Sequence, residues 1–144
     1  MGGRNFFSNN KLVIAKVATV AGTSAINSDV IDTAGFRGVV FLTTLAVNAA
    51  GNNIKVQQDT DSGGGTMADI AGGLVASGTG GTVMSMACSV EPTKRYVRCV
   101  VTRGTSSACA EIWAILFGAD LGPINSDATT LTTEQHVRKA EGTA

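Results

Sequence analysis

The stretch "KRYVRCVVTRGTSSACAEIWAILFG", residues 94–118, decides the fold class. Two apolar runs, Lys94–Arg103 and Ala108–Phe117, flank a turn at Gly104. The first is rich in Val and holds Tyr96, the second holds two Ile with Trp113 and Phe117, and such residues suit a pleated, half-buried surface. Alternation places Val97, Cys99 and Val101 on an inward face, with Lys94, Tyr96 and Arg98 outward or at an edge. The stretch therefore reads as two strands joined as a hairpin. Lys94, Arg95, Arg98 and Arg103 stud its first strand, and Glu111 and Trp113 sit in its second.

The pattern continues towards the N-terminus. Strands are predicted near Leu12–Val20, Ala25–Asp32, Arg37–Val47, Asn53–Asp59, Thr66–Ile70 and Gly81–Val90. Breakers separate them: Ala21-Gly22, Ala34-Gly35, Gly51-Asn52, Ser62 to Gly65, Gly78 to Gly81 and Pro92. In the run from Thr82, apolar Met84, Met86, Cys88 and Val90 interleave with Ser85, Ala87 and Ser89. Two strands differ, because both of their faces are apolar. Val39, Phe41 and Leu45 oppose Val40, Leu42 and Ala46 in one, and Ala110, Ile112, Ala114 and Leu116 oppose Cys109, Glu111, Trp113, Ile115 and Phe117 in the other. A second apolar face needs a cover, either a loop or another protein.

About eight strands and no helical period before residue 120 predict an all-β, two-sheet antiparallel sandwich. A jelly roll is the first choice and an immunoglobulin-like Greek key the second, although the Cys…Trp…Cys spacing of a true immunoglobulin is missing. The expected division is an N-terminal arm over 1–11, a β-sandwich domain over 12–118 and a C-terminal arm or short helix over 119–144. Within the last part, Thr133–Ala140 could form a helix capped by Thr132, or the whole tail could be disordered.

Composition narrows the function. A chain of 144 residues suits one domain with its own core. Charged residues make up 15%, against a usual level of about 25%. With 18 glycines as well, this suggests a surface covered by a partner. Eleven Lys plus Arg balance eleven Asp plus Glu, so no net field attracts nucleic acid or an anionic membrane. The N-terminus lacks a signal-peptide apolar region, Phe6 breaks a myristoylation motif, and no apolar run is long enough to span a bilayer. Cys88, Cys99 and Cys109 form no CxxC pair and read as small buried hydrophobes.

Catalytic patterns are weak. The one histidine, His136, lies in the tail, so a Ser-His-Asp or Cys-His site has no base in the apparent core. One His and three scattered Cys do not make a zinc set. "QQDTDSGGG" places Asp59 and Asp61 before three glycines, but the calcium-loop spacing fails and a strand-to-strand turn is the better reading. Those glycines lack the following GK[ST] of a phosphate loop, and "SGTGG" at 77–81 likewise reads as a turn. The basic cluster has one interleaved ring, Tyr96, too few for an oligonucleotide platform, and fits an edge or interface strand better. An enzyme is not expected, nor any cofactor or metal. A carbohydrate-binding sandwich would show several exposed rings, and this chain has one Trp and one Tyr.

"KRYVRCVVT…SSACAEIWAILFG", with "DVIDTAGFRGVVFLTTLAV" and "IKVQQDTDSGGGTMADI", is similar to a recurring pattern in small structural proteins of tailed bacteriophages. The resemblance spans about residues 12–118 and is to the jelly-roll capsid cement, or decoration, proteins. It implies a dimer on the outside of a virion head, assembled in the host cytoplasm, which binds the major capsid protein and staples its neighbouring subunits. A tail or baseplate component is the alternative. Phe6, Phe7, Arg95, Arg98, Arg103, Trp113, Leu131 and His136 are the candidate contact residues, from the arms and the exposed strands.

Overall fold

A computed structural model describes residues 6–78 and 80–120. Among these residues there is one helical turn, α1 (Phe6–Asn9), and all other regular elements are strands. They are β1 (Lys11–Lys16), β2 (Thr19–Gly22), β3 (Ile26–Asn27), β4 (Ile31–Asp32), β5 (Phe36–Leu45) and β6 (Asn53–Asp59). β7 (Ala68–Ala76), β8 (Met84–Val90), β9 (Tyr96–Thr102), β10 (Ser107–Cys109) and β11 (Ile112–Ala119) follow.

Three of the eight predicted strands are each broken in two. Lys16–Thr19 interrupts the first, Asn27–Ile31 the second, and Cys109–Ile112 the last. Side chains patch the gaps. Ser28 Oγ accepts from the Cys99 amide at 2.9 Å, and Thr43 Oγ1 donates to the Ala110 carbonyl at 3.1 Å. With each broken pair counted as one ribbon, one sheet runs β1/β2, β11/β10, β5, β8 and the other β3/β4, β9, β6, β7. In chain order the ribbons are therefore arranged 1-8-3-6 and 2-7-4-5. Ribbon 1 pairs antiparallel with 8, 2 with 7, 3 with 6 and 4 with 5. A hairpin rolled up on itself in this way is a jelly roll.

Residues 94–118 are not a hairpin. β9 pairs with β3, β4 and β6, whereas β10 and β11 belong to the other sheet. The short connection crosses the sandwich, and local packing explains the crossing. Arg103 is 8% exposed and turned inward. Its Nε donates to the Ser24 carbonyl at 2.8 Å, and its Nη1 to the Val20 carbonyl at 2.9 Å and the Ser107 carbonyl at 2.8 Å. One guanidinium thus ties the β2–β3 crossover to the β9–β10 crossover. Next to it, the Gly104 amide donates to Asn52 Oδ1 at 2.8 Å, and a Cβ at position 104 would collide with the Ala50 carbonyl oxygen. Gly lets the two backbones approach where any side chain would hold them apart.

The core lies between the sheets. Phe41, Leu45, Ile54, Val56, Val97, Val101, Ile112 and Leu116 are fully buried there, joined by Met86, Cys88, Cys99 and Cys109. The three cysteines are free thiols, as their place in apolar strands predicts. Burial raises all three, and Cys99, with the other two thiols close by, is pushed up to about 12. "DTDSGGG" forms the predicted turn. Asp59, fully buried at its root, accepts from the Asp61 amide at 3.2 Å and from the Thr66 amide at 2.8 Å.

Candidate interaction face

The two sheets show unlike outer faces. Registered pairs across the first sheet give Leu12–Ile115–Val40–Ser89 as one row and Ile14–Trp113–Leu42–Ala87 as the next. Phe117 lies opposite Gly38, where a Cβ would meet its ring. An aromatic ring lying over a strand glycine restores the packing that the glycine lacks. Beyond Thr44 and Ser85, whose hydroxyls are 2.9 Å apart, the face becomes a shallow groove of about 490 Å³. Ala18, Val20, Ala46, Val83 and Ala108 line it. Val20 is 83% exposed, Val17 beside it 66% and Val83 53%. The rows carry hydroxyls but no charged side chain. An exposed apolar patch of this kind is a candidate contact surface.

The outer side of the second sheet is a polar network. Arg95 grips Asp32 through two bonds, Nε to Oδ1 at 2.8 Å and Nη2 to Oδ2 at 2.7 Å. Its guanidinium also lies 5.3 Å from the Tyr96 ring centre. The hydrogen bond from Arg95 holds the Asp32 carboxyl below its ordinary value and raises the guanidinium in return. Arg98 Nε donates to Gln57 Oε1 at 2.8 Å, and Gln57 Nε2 to Asp69 Oδ1 at 2.7 Å. Lys55 Nζ reaches Asp69 Oδ2 at 2.9 Å. Asp69 is held low, first by Gln57 and then by Lys55. Arg95–Asp32 and Lys55–Asp69 are ion pairs within the face itself, and Arg98 is held by the neutral Gln57 amide.

The candidate residues are therefore scattered. Trp113 sits half-buried at the middle of the apolar face, as its strand pattern suggests. Arg95 and Arg98 belong to the opposite sheet and are engaged within the chain. Arg103 is inside the fold and offers nothing to a partner, because burial and three carbonyls already occupy it. Phe6 and Phe7 lie in α1 beside β11, with their rings 5.3 Å apart, edge to face, and Phe6 half exposed. Leu131 and His136, and the helix considered for 133–140, lie outside the described residues.

Sequence reasoning found the apolar second faces of β5 and β11 but missed the groove. Its signal is the run "KLVIAKVATV", residues 11–20, whose apolar residues outnumber what one buried face needs. A cleft of about 610 Å³ at the loop end is lined by Asn48, Asn52, Asn53 and Ser77 with backbone around them, and presents no titratable group. No three His, Cys, Asp or Glu residues among those described are placed to hold a metal ion.

No family model matches the sequence, and no curated protein matches it. Among solved structures, the PBSX exported protein XepA is similar in fold, with a TM-score of 0.51 over 94% of this chain and 14% identity. The chain spans 46% of that protein's length.

Proposed function

We propose that this chain is a structural protein of a bacteriophage particle that binds the outer surface of the capsid and staples neighbouring major capsid protein subunits. The observation that carries the reading is the contrast between the faces. One outer face is apolar along its registered rows and leads to a groove whose Val20 is 83% exposed. The other is polar, with two of its cations paired to carboxylates within the chain and Arg98 bonded to Gln57. An adhesive plate on a rigid sandwich suits a staple that holds subunits by surface burial and performs no reaction. The fold likeness to XepA, a phage-related protein, supports the phage part of the reading. The resemblance of residues 12–118 to cement proteins supports the capsid part. Many copies on a symmetric shell act together, so modest single contacts suffice.

The test is the composition of purified particles. Mass spectrometry should find this chain at close to one copy per major capsid protein subunit, and gentle removal should leave shells that break at lower heat or osmotic stress. A few copies per particle would shift the chain to the tail or a vertex. Absence from particles would overturn the reading.

A further inference from the structure

The jelly roll leaves four ribbon edges, and three of them carry features that discourage strand addition. β1 has Lys11 and Lys16 and a register shift between Ile14 and Lys16. β3 and β4 are two residues each. β7 shifts register against β6, carries Asp69 in an ion pair and turns through Gly72 at a φ of 75°. Short strands, charges and irregularities are the usual ways to close an edge.

β8 has none of them. It pairs with β5 through seven consecutive residues without a shift, Met84 to Val90, and shows no other strand partner among the described residues. Its sequence, "MSMACSV", contains no charge and no proline. It is also nearly symmetric about its centre. Two copies laid antiparallel about Ala87 set Met84 against Val90, Ser85 against Ser89, and Met86 against Cys88. Apolar therefore meets apolar and hydroxyl meets hydroxyl along the whole strand. Such self-complementarity is what a twofold contact requires.

We propose that β8 is the seam at which a second copy of this chain docks, edge to edge and antiparallel. The pairing satisfies the outward amides and carbonyls of both edges. Ser85 and Ser89, both exposed, pair across the seam on the outer face, where such hydroxyl pairs contribute to cross-strand stability. Met86, Cys88 and Val90, buried on the inner face, bring the two cores into line. Ala87 ends the Ile14–Trp113–Leu42 row, so the seam joins two apolar faces into one plate. The inference does not depend on the capsid reading, because it concerns the isolated protein.

The test uses Ala87→Lys and Ala87→Glu in the full chain. Position 87 is exposed, so each variant should melt close to the wild type. In sedimentation at micromolar concentration the wild type should show twice the chain mass. Each variant alone should dissociate about tenfold more readily or worse, since like charges then lie opposite one another. An equal mixture of the two should recover the doubled mass, which a misfolded variant could not do. A monomeric wild type would overturn the proposal. So would doubled mass in both single variants, or a mixture that stays monomeric.

Discussion

At the scale of single residues, Arg103 carries more of the architecture than any surface charge. Its three carbonyl partners belong to two segments far apart in sequence, Val20 and Ser24 in one and Ser107 in the other. Truncation to Ala strands three buried acceptors that water reaches poorly. Arg103→Ala should cost about 3 kcal/mol, or on the order of 6–12 °C in Tm. Arg103→Lys should recover only part of this, since an ammonium lacks the fork that spans all three carbonyls. Thermal melts of both variants decide it, and an unchanged Tm for Arg103→Ala would show that the crossovers hold without the latch. The cysteines give a second prediction. Cys99 is raised from 9.0 to about 12 because burial disfavours the thiolate. A raised folded value adds stability that is intact below pH 9.0 and drains away towards about 12. Cys99 should resist alkylation at pH 8 in the folded protein and react at once in denaturant. Rapid labelling of the native protein would contradict its burial.

At the scale of elements, strand content was legible and connectivity was not. Val97, Cys99 and Val101 alternate inward in the sequence and are fully buried in the fold. The small set Ser85, Ala87 and Ser89 faces outward, as its pattern implies. Alternation reports which way a side chain points, and a strand's own residues settle that. Which strand lies beside it depends on tertiary contacts. The turn after Arg103 is as short as a hairpin turn, and nothing local distinguishes it. Only contacts far back in the chain, Arg103 with Val20 and Ser24 and Gly104 with the Ala50–Asn52 loop, show why the backbone must cross. The same limit hid the groove, which is assembled from four ribbons. The turn between β6 and β7 was readable because its cause is local. Burial alone would raise Asp59, but bonds from the Asp61 and Thr66 amides and the Thr66 hydroxyl outweigh it and hold the carboxyl below 3.8. A lowered folded value adds stability above 3.8 that is lost as pH falls through the folded value. Amide exchange at Asp61 and Thr66 should therefore accelerate in acid ahead of the β9 amides. Asp59→Asn should show the faster exchange already at neutral pH. Uniform exchange across both regions would deny Asp59 its part in the turn.

At the scale of the whole molecule, the two sheets divide the labour. A sandwich needs one buried face per sheet, and this chain makes a third apolar face. Maintaining it in water has a cost, since exposed Val17, Val20 and Val83 gain nothing from the fold itself. The polar network of the second sheet has the opposite character, because Arg95, Arg98 and Lys55 already have partners within the chain. Binding through that side would require breaking those bonds first. The contrast makes the proposed contact testable by two substitutions of similar exposure. Ile115 lies between Leu12 and Val40 at the middle of the apolar face, and Ile115→Lys places an ammonium where a partner would exclude water. If the face is the contact, shell affinity should fall about thirtyfold, the roughly 2 kcal/mol of a central interface residue. Arg98→Ala, on the other sheet, should change affinity less than about twofold, because a rim charge carries little. Both are read as occupancy on stripped shells, with a melt to show that each variant is folded. If the order is reversed, with Arg98→Ala the damaging change, the contact belongs to the polar sheet.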